Sequence, residues 1–583
     1  MMRRGGFGGA THSPLFFSLL LTLVPSLVPA QKAAPTVGFS ALVTSGTAPL
    51  EVQFYDDSIG SITSWSWDFG DGGVSSERNP RYLYATPGTY SVDLRVRGPF
   101  GSSGKTRTDL VVVGPRVRGK KLPRSNVVLV VLDDIGVDRI GAYGEAPPGA
   151  TEPCTPNLDQ LAAQGVLFRR CYANPLCSPT RAAILTGRHG FRTGIGNLVD
   201  SGGLRTGLSA SFERTLPEIL GRYDTSMVGK WHLGHPGNDG LLHPLNSGFR
   251  WYAGSMYNLA VPPVDFGGGQ VDCTPFGSLG YYNWVKTSTV APGVLAQACS
   301  SDYATTDTVD DAIQRAFLMR GPWFMQVSLN AAHLPPELPP SALCHTTGTC
   351  ATQYCELSTP TVAEALDAMV EATDRELGRL FSAIQSIDPD TYFIVISDNG
   401  SEPAAARGAS GSCFGPDRSK GTLFEGGIRV PLIVAGPGIA PAECTNLVQA
   451  TDLFATIAAL THSAATAEDS ISFEPYLRGQ LAPRRAFAYS ELFTPNFTSP
   501  DKSASAFQPN SHLRAVNDGR FKLIRYTDQG GLEEEFLVDL QSDPCELVDL
   551  SPGFGPVDPQ TLTPEQQARY LALQAELQRL GVY

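Results

Sequence analysis

The sequence predicts an α/β chain: a mixed, mostly parallel sheet sandwiched by helices, preceded by a β-sandwich and followed by a small antiparallel subdomain. Three patterns predict it. Asn126 to Leu132, Trp323 to Leu329 and Tyr392 to Ile396 are near-continuous apolar runs, suited to strands covered on both faces. Thr361 to Ile387 carries Ala, Leu, Met and Ile at helical spacing, so a long amphipathic helix lies between two such strands. Short alternating runs broken by Gly, Pro, Asp and Ser clusters occupy the flanking regions.

Taken in order, residues 1–30 read as a secretory signal peptide. Arg3 and Arg4 are followed by the apolar stretch Leu15 to Val28, and Val28-Pro29-Ala30 offers small residues for cleavage. The chain is therefore expected to be exported (periplasmic, secreted or at the cell surface), and no other run is long enough to span a bilayer. Residues 32–114 read as all-β, with strands around Leu50 to Phe54, Tyr90 to Val96 and Leu110 to Val113. A Gly- and Pro-containing basic linker, 115–124, leads into an α/β region at 125–480. There Thr155, Pro156 and Gly165 mark the start and stop of a helix, and Pro431 to Val434 reads as a fourth buried strand. Residues 481–583 read as short strands around an Asn517-Asp518-Gly519 turn. A helix then opens at Thr563-Pro564-Glu565-Gln566, with Tyr570, Leu573, Leu577 and Leu580 on its apolar face.

The 583 residues are 42% hydrophobic and carry a formal net charge of −13. That balance argues against nucleic acid as a partner and requires any anionic substrate to meet a local cationic pocket. There are 11 cysteines, an odd number for an exported chain. Setting Cys177 apart leaves an even set, expected to be mostly disulfide-bonded, with one local bridge among Cys344, Cys350 and Cys355.

Two acidic pairs, Asp133-Asp134 and Asp398-Asn399, end buried strands, where ligands collect in open α/β sheets. Their oxygens suit a hard cation; each pair alone reads equally as a turn cap. In Cys177-Ser178-Pro179-Thr180-Arg181, Pro179 fits a first helical turn, which places Cys177 just before a helix N-terminus with Arg181 facing the same side. A buried structural cysteine beside an arginine is the other reading of these residues. Arg188 and Asp374 read as structural. Asn496-Phe497-Thr498 and Asn399-Gly400-Ser401 are glycosylation sequons.

Two resemblances sharpen these readings. Trp67-Asp68-Phe69-Gly70-Asp71-Gly72 and Pro87-Gly88-Thr89-Tyr90 resemble the PKD-type immunoglobulin-like repeat, a spacer or a glycan-binding module. Cys177 to Arg188 resembles the C-x-P-x-R element of type I sulfatases, of the alkaline-phosphatase-like superfamily. Gly229-Lys230-Trp231-His232-Leu233-Gly234, His333-Leu334-Pro335, Ser397-Asp398-Asn399-Gly400, Lys420 to Pro431 and Asp543-Pro544-Cys545-Glu546 follow in the family's order.

The resemblance implies a sulfuric ester hydrolase of arylsulfatase type. In it a formylglycine-generating enzyme oxidises Cys177 to formylglycine, whose hydrate attacks sulfur. It implies one divalent cation, Ca²⁺ in preference to Mg²⁺, on Asp133, Asp134, Asp398, Asn399 and residue 177. Arg181 would hold the hydrate and Lys230 the sulfate, His232 would be the base, and His333 and Lys420 would serve the leaving oxygen. The substrate would be a sulfated small molecule or glycan. The competing readings are a phosphate or phosphonate ester hydrolase of the same superfamily and a glycan-binding pseudoenzyme.

Overall fold

The computed structural model describes residues 34–114 and 125–580, apart from 43, 49, 148–149, 200–205, 262–263, 266–270, 346–353, 355–356, 407–410, 498–508, 532 and 554. The signal segment, the linker, Cys350 and Cys355 lie outside the described residues. The chain divides into two compact units, before and after Lys121–Leu122.

The first unit has strands β1 (Phe39–Leu42), β2 (Ser45–Thr47), β3 (Leu50–Asp56), β4 (Ser64–Asp68), β5 (Val74–Ser75), β6 (Arg81–Tyr84), β7 (Gly88–Gly98) and β8 (Gly101–Gly114). They form a three-stranded sheet, β1-β3-β6, and a five-stranded one, β2-β8-β7-β4-β5. Period-two alternation along β7 points Val92, Leu94 and Val96 inward against Phe54, Trp67 and Phe69. The polar ends of the buried rings find partners: Trp67 Nε1–H donates to the Glu77 carbonyl at 2.9 Å, and the Tyr84 hydroxyl to that of Phe69 at 2.9 Å.

The second unit is built on one sheet. Its strands are β9 (Asn126–Leu132), β10 (Val166–Tyr172), β11 (Asp224–Gly229), β12 (Trp251–Gly254), β13 (Trp284–Ala291), β14 (Val294–Ser300), β15 (Trp323–Ser328), β16 (Thr391–Ser397), β17 (Arg429–Ala435), β18 (Ala442–Cys444) and β19 (Val448–Gln449). The order is β14-β13-β12-β11-β15-β9-β16-β17-β10-β18, with β19 also on β10. From β12 to β16 every neighbouring pair is parallel. All residues of β9 are buried, and they divide by the pleat: Val127, Leu129 and Val131 enter one core, Val128, Val130 and Leu132 another. Helices cover both faces. Helices α1 (Pro156–Gln164), α3 (Ala304–Leu318) and α4 (Val362–Ile387) bury Leu158, Val309, Met369 and Leu377 in the second core. Helices α2 (Cys177–Thr186) and α5 (Asp452–Leu460) bury Leu185, Leu453 and Phe454 in the first. This is the mostly parallel α/β sandwich expected from the runs of apolar residues.

Residues 271–300, to which the sequence reading assigned no element, carry a sheet extension. β13 pairs antiparallel with β12, β14 pairs with β13, and Cys273–Cys299 staples the hairpin to its approach. At the C-terminus β20 (Ala488–Thr494), β21 (Ser511–Asn517), β22 (Phe521–Asp528) and β23 (Glu533–Asp539) form an antiparallel meander. Helix α6 (Pro564–Leu580) lays Tyr570, Leu573, Leu577 and Leu580 on it, as its spacing predicts.

Most of the cysteines other than Cys177 are bridged, as expected. Cys273–Cys299 and Cys413–Cys545 are bridged, and Cys154 and Cys344 are also disulfide-bonded. Cys171 and Cys444 stay as buried thiols beside Cys177. The asparagine of each sequon is buried too. The Asn496 carboxamide accepts from the Gly196 and Asn197 N–H groups and donates to the Asn197 and Leu198 carbonyls, which leaves no amide free for a glycan.

The first unit has its own two-sheet core, so it is expected to fold alone. Residues 32–114 expressed separately should unfold cooperatively at the midpoint they show in the whole chain, measured by calorimetry. Trp67→Ala should cost about 3–5 kcal/mol in that transition only. A midpoint far lower for the isolated unit would show that it draws stability from the rest of the chain.

Candidate active site

The parallel block delivers its chemistry at one edge. Adjacent strands β11, β15, β9 and β16 run out into Lys230, the Asn330–His333 turn, Asp133-Asp134 and Asp398-Asn399. The hydrogen-bond ladder continues past the strand ends and orients them. Lys230 N–H donates to the Ser328 carbonyl at 2.8 Å, Asp133 N–H to Ala331 at 3.2 Å, and Asp398 N–H to Leu132 at 3.0 Å. The close approach needs glycine: at Gly229, with φ +91°, a Cβ would lie 1.9 Å from the Ser328 carbonyl oxygen. Asp134 and His232 also hold positive φ, 61° and 59°. Each such conformation costs on the order of 1–3 kcal/mol and is kept where the surroundings demand it.

Helix α2 starts at Cys177 itself, one position earlier than the sequence reading placed it, and is buried along its whole length. Gly187 closes it in the left-handed conformation, its N–H donating to Ala183. This puts the Cys177 Sγ 3.4 Å from Asp133 Oδ1. One turn on, Arg181 donates Nε and Nη2 to Asp398 Oδ2 at 3.0 and 2.7 Å and Nη1 to the Lys230 carbonyl at 3.0 Å. Lys230 Nζ reaches Asp133 Oδ2 at 2.5 Å, and Lys420 Nζ reaches Asp134 Oδ2 at 2.6 Å. Every candidate from the sequence thus lies in or against one cluster.

The donor set fits a hard divalent cation. Ligand atoms of Asp133, Asp134, Cys177 and Asp398 lie within 4.8 Å of one another. Asn399 donates its Nδ2 to Asp134 Oδ1 at 2.8 Å, while its Oδ1 is buried with no hydrogen-bond partner. A bound cation would satisfy this buried carbonyl oxygen beside three carboxylates.

The charges are interlocked. Burial works against ionising Asp133, but Lys230, His333, Arg181 and Lys420 outweigh it and hold the carboxyl well below the usual range. Asp134 is lowered likewise, chiefly by Lys420 against its burial. Asp398 is pushed up to about 7, by burial and then by Asp133, despite Arg181. Three carboxylates in one dry pocket leave the last short of positive charge, which a divalent ion would supply. Burial, reinforced by Asp398, pushes the Cys177 thiol far up, so unmodified Cys177 is a neutral thiol.

The two histidines are held neutral. Burial, with Lys230 and Arg181, depresses His232, whose Nδ1 is buried without a partner. Burial depresses His333 to about 4 against the pull of Asp134. The His333 Nδ1–H donates to the Leu334 carbonyl at 2.7 Å, leaving Nε2, 3.9 Å from Asp134 Oδ2, toward the pocket.

Several supporting residues escaped the sequence reading. Glu402 shares Lys420 with Asp134 at 3.2 Å. Lys522 bridges Glu425 and Glu546 at 3.1 and 2.7 Å, and Glu546 accepts the Glu425 N–H. Together with Cys413–Cys545, this ties the C-terminal strands to the Lys420 segment. The signal was the Asp543-Pro544-Cys545-Glu546 element, whose partners only the fold reveals. Asn330 Nδ2, three residues before His333, is a further buried atom without a hydrogen-bond partner. Arg188 pairs with Glu213 and Glu468, and Asp374 accepts from Asn157 and Leu158 at the start of α1.

His243 braces the Lys230–Gly234 segment. Its Nε2–H donates to the Leu208 carbonyl at 2.6 Å, and its Nδ1 accepts Trp231 Nε1–H at 3.0 Å. Burial holds it below the ordinary histidine value, against the Leu208 bond and Asp239. The folded state therefore binds this proton less readily than the unfolded chain. Stability is fully present above the unfolded value of about 6.5 and falls as pH drops below it, toward the lower folded value. His243→Phe should lose about 1–3 kcal/mol at pH 7.5 for each unpaired group and show a shallower acid-side decline in melting temperature than wild type. An equally steep decline would remove His243 from that role.

Comparison with known proteins agrees with this geometry. Residues 125–463 match the sulfatase family model and residues 32–113 that of the PKD domain. Human arylsulfatase A is 30% identical over 77% of this chain and 88% of its own length. Mouse N-acetylgalactosamine-6-sulfatase is 32% identical over 62% of this chain and 68% of its own. The crystal structure of Ps i-CgsB in complex with k-i-k-neocarrahexaose superposes with a TM-score of 0.58 at 21% identity, over 79% of this chain and 93% of that one. The chain belongs to the sulfatase family, which implies formylglycine and a divalent metal, carries an N-terminal PKD domain, and is an enzyme of sulfate-ester hydrolysis.

Proposed function

We propose that Cys177, as formylglycine, is the nucleophile and that the residues around it divide the work of hydrolysis as follows. The observation that carries this is the placement of residue 177 at the start of a buried helix, 3.4 Å from Asp133, within a cluster of three carboxylates and three cations. Cys177 as a thiol is neutral and buried. An aldehyde hydrate supplies instead an oxygen that can attack sulfur and a second hydroxyl through which sulfate can be expelled. A formylglycine-generating enzyme would make the conversion.

Asp133, Asp134, Asp398 and Asn399, with the oxygen at residue 177, would hold the cation. It would supply Lewis-acid polarisation of a sulfate oxygen, and a set of five protein oxygens, which Mg²⁺ with its retained waters seldom takes, favours Ca²⁺ over Mg²⁺. Arg181, clamped on Asp398 and on the Lys230 carbonyl, is fixed to orient residue 177. Lys230, fully buried, meets sulfate oxygens in a site where charge-assisted contacts are strong. His232, held neutral with a free Nδ1, is set to take a proton from the second hydroxyl. Lys420, kept charged by Asp134 against its burial, and His333 serve the leaving oxygen. A bound sulfate ester would raise His333 by adding negative charge beside it.

The substrate class is a sulfated small molecule or a sulfated glycan; the N-acetylgalactosamine-6-sulfatase relatives favour a sugar sulfate. Residues 125–480 carry the chemistry and 481–583 buttress it. Export through residues 1–30 fits the disulfides, and among the described residues no helix is long and apolar enough to cross a membrane.

Two outcomes follow. Peptide mass spectrometry of active enzyme should show formylglycine at 177, and Cys177→Ala should lose at least about 10³-fold in kcat on 4-nitrophenyl sulfate with an unchanged melting temperature. Full activity with an unmodified thiol at 177 would refute the assignment. Asp398→Ala should abolish stoichiometric Ca²⁺ by elemental analysis along with turnover. Stoichiometric zinc in native enzyme, with faster turnover of 4-nitrophenyl phosphate than of the sulfate, would move the site to the phosphoester reading.

A further inference from the structure

The hairpin extension reaches the chemistry through Tyr281. Tyr281 precedes β13 and is fully buried. Its hydroxyl lies 2.5 Å from the Asn330 carbonyl oxygen and 2.9 Å from that of His333, so one phenolic proton serves the two carbonyls that bracket the His333 turn. The Asn330 carbonyl also accepts the His333 N–H at 3.0 Å. The Tyr281 N–H donates to Glu337 Oε2 at 2.9 Å, and the Tyr282 hydroxyl to the Leu338 carbonyl at 2.8 Å. The anchor behind Tyr281 is rigid. Asn283 Nδ2 donates to the Cys273 and Gly277 carbonyls at 3.0 and 2.8 Å, Cys273 is bridged to Cys299, and the Tyr281 ring stacks on Tyr303.

We infer that Tyr281 is a positioning residue for His333: through this shared hydroxyl the hairpin extension sets where the imidazole meets the leaving oxygen. The inference rests on the role given to His333 above. Without the hydroxyl, two buried carbonyls lose a donor and the turn is free to relax by a few tenths of an ångström. The backbone carrying His333 then shifts relative to Asp134 while Lys230, held after β11, and Arg181 and residue 177, held on helix α2, stay in place. Such a shift weakens protonation of the ester oxygen as the S–O bond breaks and its electron pair leaves with that oxygen. It leaves the attack on sulfur intact. The loss must therefore scale with how badly the leaving group needs a proton.

The test compares wild type, Tyr281→Phe, Tyr282→Phe and His333→Ala as full-length enzymes matched for formylglycine content. The substrates are 4-nitrophenyl sulfate, whose leaving phenolate is stable unprotonated, and phenyl sulfate, whose leaving group is not. Tyr281→Phe keeps the ring and its stacking, and melting temperatures report the fold. The expected result is a loss in kcat/KM of about tenfold or more on phenyl sulfate and under about threefold on the nitrophenyl ester. KM should be little changed, Tyr282→Phe should be near wild type on both, and the double variant Tyr281→Phe/His333→Ala no worse than His333→Ala. Equal losses on both esters, or none, while His333→Ala shows the leaving-group dependence, would overturn the role of Tyr281. If His333→Ala itself lacked that dependence, the role of His333 would fall and this inference with it.

Discussion

Three carboxylates share one dry pocket, and the rest of the catalytic unit is arranged around keeping them there. Asp133, Asp134 and Asp398 are almost wholly removed from water. Burying each costs several kcal/mol unless positive charge and hydrogen bonds offset it. Arg181, Lys230 and Lys420 provide that charge, each from a different element: a buried helix, a parallel strand and a segment held by the C-terminal sheet. No one of these elements could supply all three. The sheet order is accordingly a requirement, because only strands adjacent in the sequence β11-β15-β9-β16 bring Lys230, His333, Asp133 and Asp398 to one edge.

The same constraint explains the C-terminal strands. Lys420 faces Asp134 from a segment with little secondary structure of its own. Its position is fixed downstream, where Glu425 accepts from Tyr172 and Lys522, and Glu546 closes the loop by accepting the Glu425 N–H. Arg418 donates to the Glu546 carbonyl at 2.7 Å, two residues before Lys420. A catalytic charge on an irregular segment is thus held by a regular sheet distant in sequence.

Much of this was legible beforehand. A strand buried on both faces announces itself as an unbroken apolar run, and the polar pair that ends it marks the site, so Asp133-Asp134 and Asp398-Asn399 could be read from pattern alone. The order of strands could not, since hydrophobic period tells which face is buried and not which neighbour is beside it. The hairpin extension went unassigned because its strands carry no clear run or alternation of apolar residues, and Tyr281 has no local signature at all. The cysteine count pointed correctly to bridges but could not say which thiols stay free, because bridging depends on which sulfurs meet. Cys171 and Cys444 lie on neighbouring strands, β10 and β18, without being bonded.

Residue 177 has no exposed surface once α2 is packed. No second protein can grip a side chain in that condition. Conversion of Cys177 as proposed would therefore have to come while the polypeptide is still open, and folding would seal the result. A population of finished molecules would then be a record of a race, with converted and unconverted copies that look alike from outside. The yield of working enzyme would in that sense be a property of how the chain was made rather than of how stable it is.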